Sequence, residues 1–293
     1  MGAVLAILAA VVFALGTVLQ QKGTMTTEAT EDDPRFLLQI LHRPVWLAGA
    51  IFQASGWVLQ AMALDRASLL VVQSLTALSL VIALPFGVWF TRQHVGLREL
   101  AGAGLTLVGI VVFLSGGQPQ GGTTHPNAAT WWGACLLTLV LVVVLAVVGS
   151  RFRGAAKALT LGAAAGLGFG LQAAVTKTFV TEIGSGILAL LGSWSVYVLI
   201  LSAVSGFVLQ QSALKTGVLA PAMASSNSVT LFSSVILGIV VYGERLAKSG
   251  AGHVSSAGIG LLIAIAGIAL LAGSEAPQPS GTARSVELDP STT

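Results

Sequence analysis

Nine long apolar runs separated by short polar segments carry most of this 293-residue chain. They lie near 2–21, 44–64, 68–90, 98–115, 131–149, 156–178, 187–213, 217–242 and 254–273. A helix rises 1.5 Å per residue, so about 20 apolar residues cross the hydrocarbon core of a bilayer. In lipid, only helices and closed barrels satisfy their own backbone hydrogen bonds. The pattern therefore predicts an all-α, polytopic membrane helical bundle of about nine transmembrane helices. No Lys or Arg precedes the first run and the first cation, Lys22, lies behind it, so it reads as a retained helix and not a signal peptide. Residues 22–43, with Glu28, Glu31, Asp32 and Asp33, read as a solvated loop in which Phe36 to Leu41 lie along the interface. Segment 116–130 has turn and breaker chemistry throughout. The Pro-, Ser- and Thr-rich tail from Ser274 is predicted to be disordered.

The apolar runs repeat. Gly56-Trp57-Val58-Leu59-Gln60 returns as Gly206-Phe207-Val208-Leu209-Gln210, and Gly16-Thr17-Val18-Leu19-Gln20 returns with nearly the same offset as Gly168-Phe169-Gly170-Leu171-Gln172. Runs one to four and six to nine then pair as copies, with the fifth as a spacer. An odd spacer after four spans reverses the second copy in the membrane. The expectation is an inverted four-plus-four repeat, an architecture of secondary transporters whose sites lie at the repeat interface near midplane. The expected divisions are 1–115, a linker and spacer helix at 116–150, a second repeat at 151–273, and the tail 274–293.

Composition agrees: 55% hydrophobic residues, 9% charged and a mean hydropathy of +0.89 exclude an ordinary soluble domain. The net charge of +3 comes from cations scattered among loops with no basic stripe, so no nucleic-acid partner is implied. Their distribution reports topology. With the N-terminus outside, Lys22, Arg35, Arg43, Arg92, Arg98, Arg151, Arg153, Lys157, Lys215 and Arg284 face the cytoplasm, and Arg66, Lys177, Arg245 and Lys248 do not. The positive-inside rule thus predicts a multi-pass cell-membrane protein with a cytoplasmic C-terminus. Cys135 is the single cysteine; it cannot form an internal disulfide and reads as a packing residue.

Polar residues inside the runs are the candidate chemistry, because an unsatisfied amide or hydroxyl in lipid is costly. Gln73, Thr76 and Ser79 share roughly one face of the third run, with Ser74 nearby, and its counterpart carries Ser225, Ser226, Asn227, Ser228 and Thr230. Interhelical hydrogen bonding and cavity lining both account for such groups; the density between Ser225 and Thr230 favours a cavity. Gln20, Gln21, Gln60, Gln172, Gln210 and Gln211 supply amides that orient a polar or cationic substrate without titrating. Lys177, near the end of the sixth run, either snorkels to the interface or binds an anionic group. The expected substrate pathway comprises Gln20, Gln60, Gln73, Thr76, Gln172, Lys177, Gln210, Ser226 and Asn227. Pro85 and Pro221 are candidate helix kinks or breaks.

Asp65, Glu99, Glu182 and Glu244 all fall at helix ends, which argues against a midplane proton relay. His42, His94, His125 and His253 lie in loops, and no spacing resembles a metal, nucleophile-elbow or phosphate-loop motif. The expectation is a non-enzyme with no cofactor and no resident metal. Gly102, Gly104 and Gly109 against Gly258, Gly260 and Gly267 offer close helix contact, within the monomer or in a homodimer.

With its duplicated halves, the Val241-Tyr242-Gly243-Glu244-Arg245-Leu246 segment and the glycine-rich helix behind it carrying Gly260 and Gly267, the chain resembles the drug/metabolite transporter superfamily, EamA-type permeases in particular. The corresponding stretch of the first half, Thr91-Arg92-Gln93-His94, lacks the acid. Typical EamA members have ten spans in two fives; the nine-span, N-out layout looks more like the NIPA-type magnesium transporters. The resemblance implies alternating-access transport of a small metabolite or amphiphilic solute, or in the second branch a divalent cation. A non-transporting membrane scaffold is the alternative of another class, and the dense internal polar residues argue against it.

Overall fold

The computed structural model describes residues 1–25, 43–91, 95–117, 119, 120, 122, 123, 126–214, 216, 219–246 and 251–272. The expected acidic loop from Glu28 to Asp33, the interfacial stretch Phe36 to Leu41, Arg92 to His94, His42, His125, Lys248 and the tail lie outside the described residues. The elements are α1 (Gly2–Met25), α2 (Pro44–Arg66), α3 (Leu69–Thr76), α4 (Ser79–Thr91), α5 (Leu97–Gly117), β1 (Pro119–Gln120), α6 (Ala128–Ser150), α7 (Gly154–Glu182), α8 (Ile187–Gly192), α9 (Trp194–Leu214), α10 (Leu219–Val240), β2 (Arg245–Leu246) and α11 (Ala251–Ala272). Among the described residues, eight spans are long and apolar enough to cross a membrane. The ninth expected run is the helical α11, whose apolar stretch Ser255–Leu271 is shorter. The chain is a polytopic all-α bundle, and its only described β-pairing is the two-residue antiparallel contact of β1 with β2.

Two expected spans are interrupted. The third run divides at Ala77–Leu78 and not at Pro85, which sits inside α4. At the break Leu78 N–H turns to Leu75 O (3.1 Å) and Leu80 N–H to Ala77 O (3.4 Å). This tighter i→i−3 pattern takes from the Ser74 and Thr76 carbonyls the donors a regular helix would give them. The seventh run starts at Trp194, because Gly186 (φ +94°) and the Ser193 corner set α8 apart. Ser193 Oγ and Ser195 Oγ both donate to Glu182 Oε2, which fixes that corner to the end of α7. Pro221 lies in the first turn of α10, where a missing N–H costs nothing.

Lipid tails are as apolar as leucine, so the helices associate through close backbone approach. The main contacts of α1 are with α2 and α4; those of α7 are with α9 and α10; α5 packs on α11. In α1–α2 the ring of Phe13 fills the space over Gly56, and in α7–α9 the ring of Phe169 does the same over Gly206. In α5–α11 a Cβ on Gly260 would stand 2.8 Å from Gly109 O, and one on Gly267 would stand 2.7 Å from Gly102 O. Gly104 and Gly258 face open space. The glycine faces weighed above for a homodimer are thus largely consumed inside the monomer. By contrast α6 is apolar all round and mostly unburied, with Leu136, Leu137, Val143 and Val144 turned outward as lipid-facing positions.

The bundle has two recognisable ends. One gathers Gly2 beside Ala67, the β1–β2 contact, and the segment carrying Glu244. The other carries Arg151, Arg153 and Lys157 at the start of α7.

Gly109→Val would drive a side chain into the Ala264 backbone, an overpacking cost of about 1–3 kcal/mol. The expected result is a lower melting temperature in detergent, with Gly104→Val, which meets nothing within 4 Å, unchanged.

Candidate functional site

Of the described residues, Lys177 and Glu244 are the charged side chains that are buried, at 8% and 1% exposure. Helix α10 ends at Val240, and left-handed Gly243 (φ +60°) turns the chain so that Glu244 N–H returns to Gly238 O. The carboxylate is thereby carried back into the bundle. Glu244 Oε1 accepts from Leu69 N–H (2.6 Å) and from Lys177 Nζ (2.5 Å), and Oε2 accepts from Leu70 N–H (2.9 Å). The anion therefore caps the N-terminus of α3, where unpaired N–H groups and the helix dipole favour negative charge. Gly238 makes room: a Cβ there would stand 2.9 Å from Glu244 Oε2 and clash with Leu70.

Aromatic groups enclose this pair. Tyr242 donates to Ala174 O (2.6 Å), shares a hydrogen bond with Thr178 Oγ1 (2.8 Å), and presents its ring to Lys177 Nζ at 4.6 Å. Trp131 meets Tyr242 edge-on at 5.8 Å and Trp194 at 5.2 Å. Four membrane helices, α3, α6, α7 and α9, and the turn after α10 thus meet at one charged centre.

Neutral polar groups are buried elsewhere in the bundle. Gln53 Oε1, Gln73 Nε2, Gln210 Oε1, Asn227 Nδ2 and Ser228 Oγ are buried atoms with no hydrogen-bond partner among the described residues. Gln53 Nε2 reaches Thr17 Oγ1 at 3.4 Å, and Gln210 Nε2 has Met223 Sδ at 3.0 Å, a weak acceptor. Leu231, one turn from Asn227, belongs to the same apolar cluster as Leu70, and Ala77 and Leu78 at the α3–α4 break pack against that cluster. Unpaired amides and the carbonyls released at the break are groups that a polar occupant could satisfy.

The expected pathway residues divide among these environments. Lys177 does not snorkel: it is in the internal pair with Glu244. Gln73 is buried, and Thr76 Oγ1 turns back to Gln73 O at 3.1 Å. Ser226 backs onto α7, where a Cβ on Gly166 would stand 2.5 Å from Ser226 O; Thr230 and Ser233 hydroxyls also reach Gly166 O. Part of the serine-rich cluster is therefore interhelical contact, leaving Asn227 and Ser228 as the atoms without partners. Gln60 and Gln172 are half-buried on α2 and α7; Gln20, also half-buried, packs where a Cβ on Gly49 would stand 2.8 Å from its Cγ. Gln53, Tyr242 and Trp131 were missed by sequence reasoning, and Glu244 was placed at a helix end without its burial. The Gly238–Gly243 pair around the α10 terminus is the signal that could have found it.

This arrangement, a lipid-facing helical bundle with an internal ion pair and unpaired interior amides, defines a polytopic membrane protein. The chain is 32% identical over 253 residues to "Uncharacterized protein Cgl0250/cg0304" of Corynebacterium glutamicum, spanning 82% of this chain and 84% of that one, and belongs to the same family. It is also 22% identical over 267 residues to "Probable magnesium transporter NIPA9" of Arabidopsis thaliana, covering 88% of this chain and 77% of that protein. No family model matches the chain, and no solved structure matches it.

Removing one partner of a buried pair strands the other charge, at a cost of about 3–5 kcal/mol. Lys177→Met is expected to lower the detergent melting temperature sharply. Lys177→Met/Glu244→Gln, which leaves no charge, should recover part of that loss in the same melt.

Proposed function

We infer that this protein is a secondary membrane transporter that moves a small hydrophilic solute through the seam between its two halves. The observation that carries this reading is the helix break at Ala77–Leu78, which packs against the same apolar cluster as Leu231 of α10, one turn from the unpartnered Asn227 amide. Interrupted helices with exposed carbonyls beside polar side chains recur at transporter substrate sites. Matching contacts, α1 with α2 and α4, α7 with α9 and α10, support an inverted repeat whose halves rock against each other. The greater density of cations at the Arg153 end supports placing that end in the cytoplasm, with the N-terminus outside.

The likeness to the Arabidopsis protein favours magnesium as cargo. No group of three or more His, Cys, Asp or Glu able to hold a metal occurs among the described residues. Mg²⁺ dehydrates reluctantly and keeps several waters, so amide oxygens and helix carbonyls would contact its hydration shell and not the bare ion. The neutral donors and acceptors of the seam equally suit an uncharged or zwitterionic metabolite, which is the second reading.

The test is Mg²⁺ entry into proteoliposomes enclosing a Mg²⁺-sensitive dye. Protein-dependent entry, reduced about tenfold or more in Asn227→Leu through loss of a polar contact and added bulk, is expected. No entry through demonstrably folded protein removes the magnesium reading and leaves the organic-solute one. Entry unaltered in Asn227→Leu takes the α10 cluster out of the pathway.

A further inference from the structure

Helix α3 has eight residues and ends at the break, so it is joined to the rest of its span only through Ala77 and Leu78. Its N-terminus is held by a side chain from the other half of the molecule, through Leu69 N–H and Leu70 N–H to Glu244. Glu244 in turn is fixed by Lys177 of α7, and Lys177 by the Tyr242 ring. Gln73, one turn along α3 from Leu69 and Leu70, carries a buried Nε2 without a partner among the described residues. A short helix, hinged at one end and charge-clamped at the other, thus stands between the Glu244 end of the bundle and the polar seam.

Resting on the transport reading above, we propose that Glu244 and Lys177 are positioning residues that form a charge latch, and that α3 is the gate they hold closed. The carboxylate bridges the halves: it contacts the α3 amides of the first and the α7 ammonium of the second. Releasing the carboxylate from the Leu69 and Leu70 amides leaves the N-terminus of α3, whose leucines are fully buried, held by apolar packing alone, and α3 then swings about Ala77–Leu78. The Gln73 level is then exposed to the Glu244 face. The latch controls access to the seam and does not itself touch the cargo.

The latch is tested by the accessibility of position 73. In a Cys135→Ser background carrying Gln73→Cys, a membrane-impermeant maleimide is applied separately to right-side-out and inverted vesicles. The parent is expected to label slowly from the Glu244 face. Glu244→Gln and Lys177→Met/Glu244→Gln should each raise that rate about tenfold or more, because a minor open state is populated at about 0.1–10% until its closed competitor is destabilised. The rate from the Arg153 face should not change. A folded variant in which position 73 stays as protected as in the parent overturns the latch, as does an equal rise from both faces, which marks general loosening. Loss of the monodisperse bundle in both variants makes the pair a determinant of folding and overturns it as well. Labelling does not depend on cargo, so failure here with Mg²⁺ entry intact leaves the transport reading standing.

Discussion

A carboxylate inside a membrane bundle must be compensated, and the compensation of Glu244 organises this end of the protein. An isolated charge in a low-dielectric interior costs several kcal/mol even after relaxation. Here the anion receives an ammonium and two helix N-terminal amides, each from an element distant in sequence. Those demands explain neighbouring features that otherwise look unrelated. Gly238 must lack a side chain so that the carboxylate fits, Gly243 must adopt a left-handed turn so that the chain can reach it, and Tyr242 must cover the ammonium. The β1–β2 contact closes the same corner by tying the α5–α6 connection to the chain just beyond Glu244.

The ion pair and the unpartnered interior amides have different chemistry. The ion pair is matched charge for charge, and two helix amides complete the carboxylate. The amides of Gln53, Gln73, Gln210 and Asn227 each keep one atom without a partner among the described residues, which favours an occupant that supplies hydrogen bonds. The short α3 contributes to both: its Leu69 and Leu70 amides complete the pair, and its Gln73 carries one of the unpartnered amide nitrogens. In the transport reading, that division gives a strong contact the task of closing the path and weak ones the task of holding cargo.

Much of the fold was legible because lipid imposes a simple rule. Runs of about 20 apolar residues become helices, and the nine runs correspond to the helices seen, with α3–α4 together forming one span. The glycine pairs of α5 and α11 were readable for the same reason, since close helix approach in membranes needs small residues. The break at Ala77–Leu78 was not readable, because neither residue is a breaker and the proline that drew attention, Pro85, sits two turns further on in intact helix. The ion pair was hidden for a different reason. Lys177 and Glu244 are both near helix ends, where charges ordinarily reach water, and only the fold bends the chain after α10 back inward. Asn227 and Gln73 were nominated from sequence on their polarity, and both carry buried amide nitrogens without partners. Ser226 was nominated on the same grounds and packs against Gly166.

The central claim, that the Glu244 end opens as the halves move, is most directly tested by a distance. Spin labels at Arg66→Cys and Leu188→Cys, both exposed positions at that end, in a Cys135→Ser background would report the separation of α2 from α8. Alternating access predicts two populations, with the longer one enriched by Glu244→Gln. A single distance, unchanged by that substitution and by saturating Mg²⁺, would contradict it.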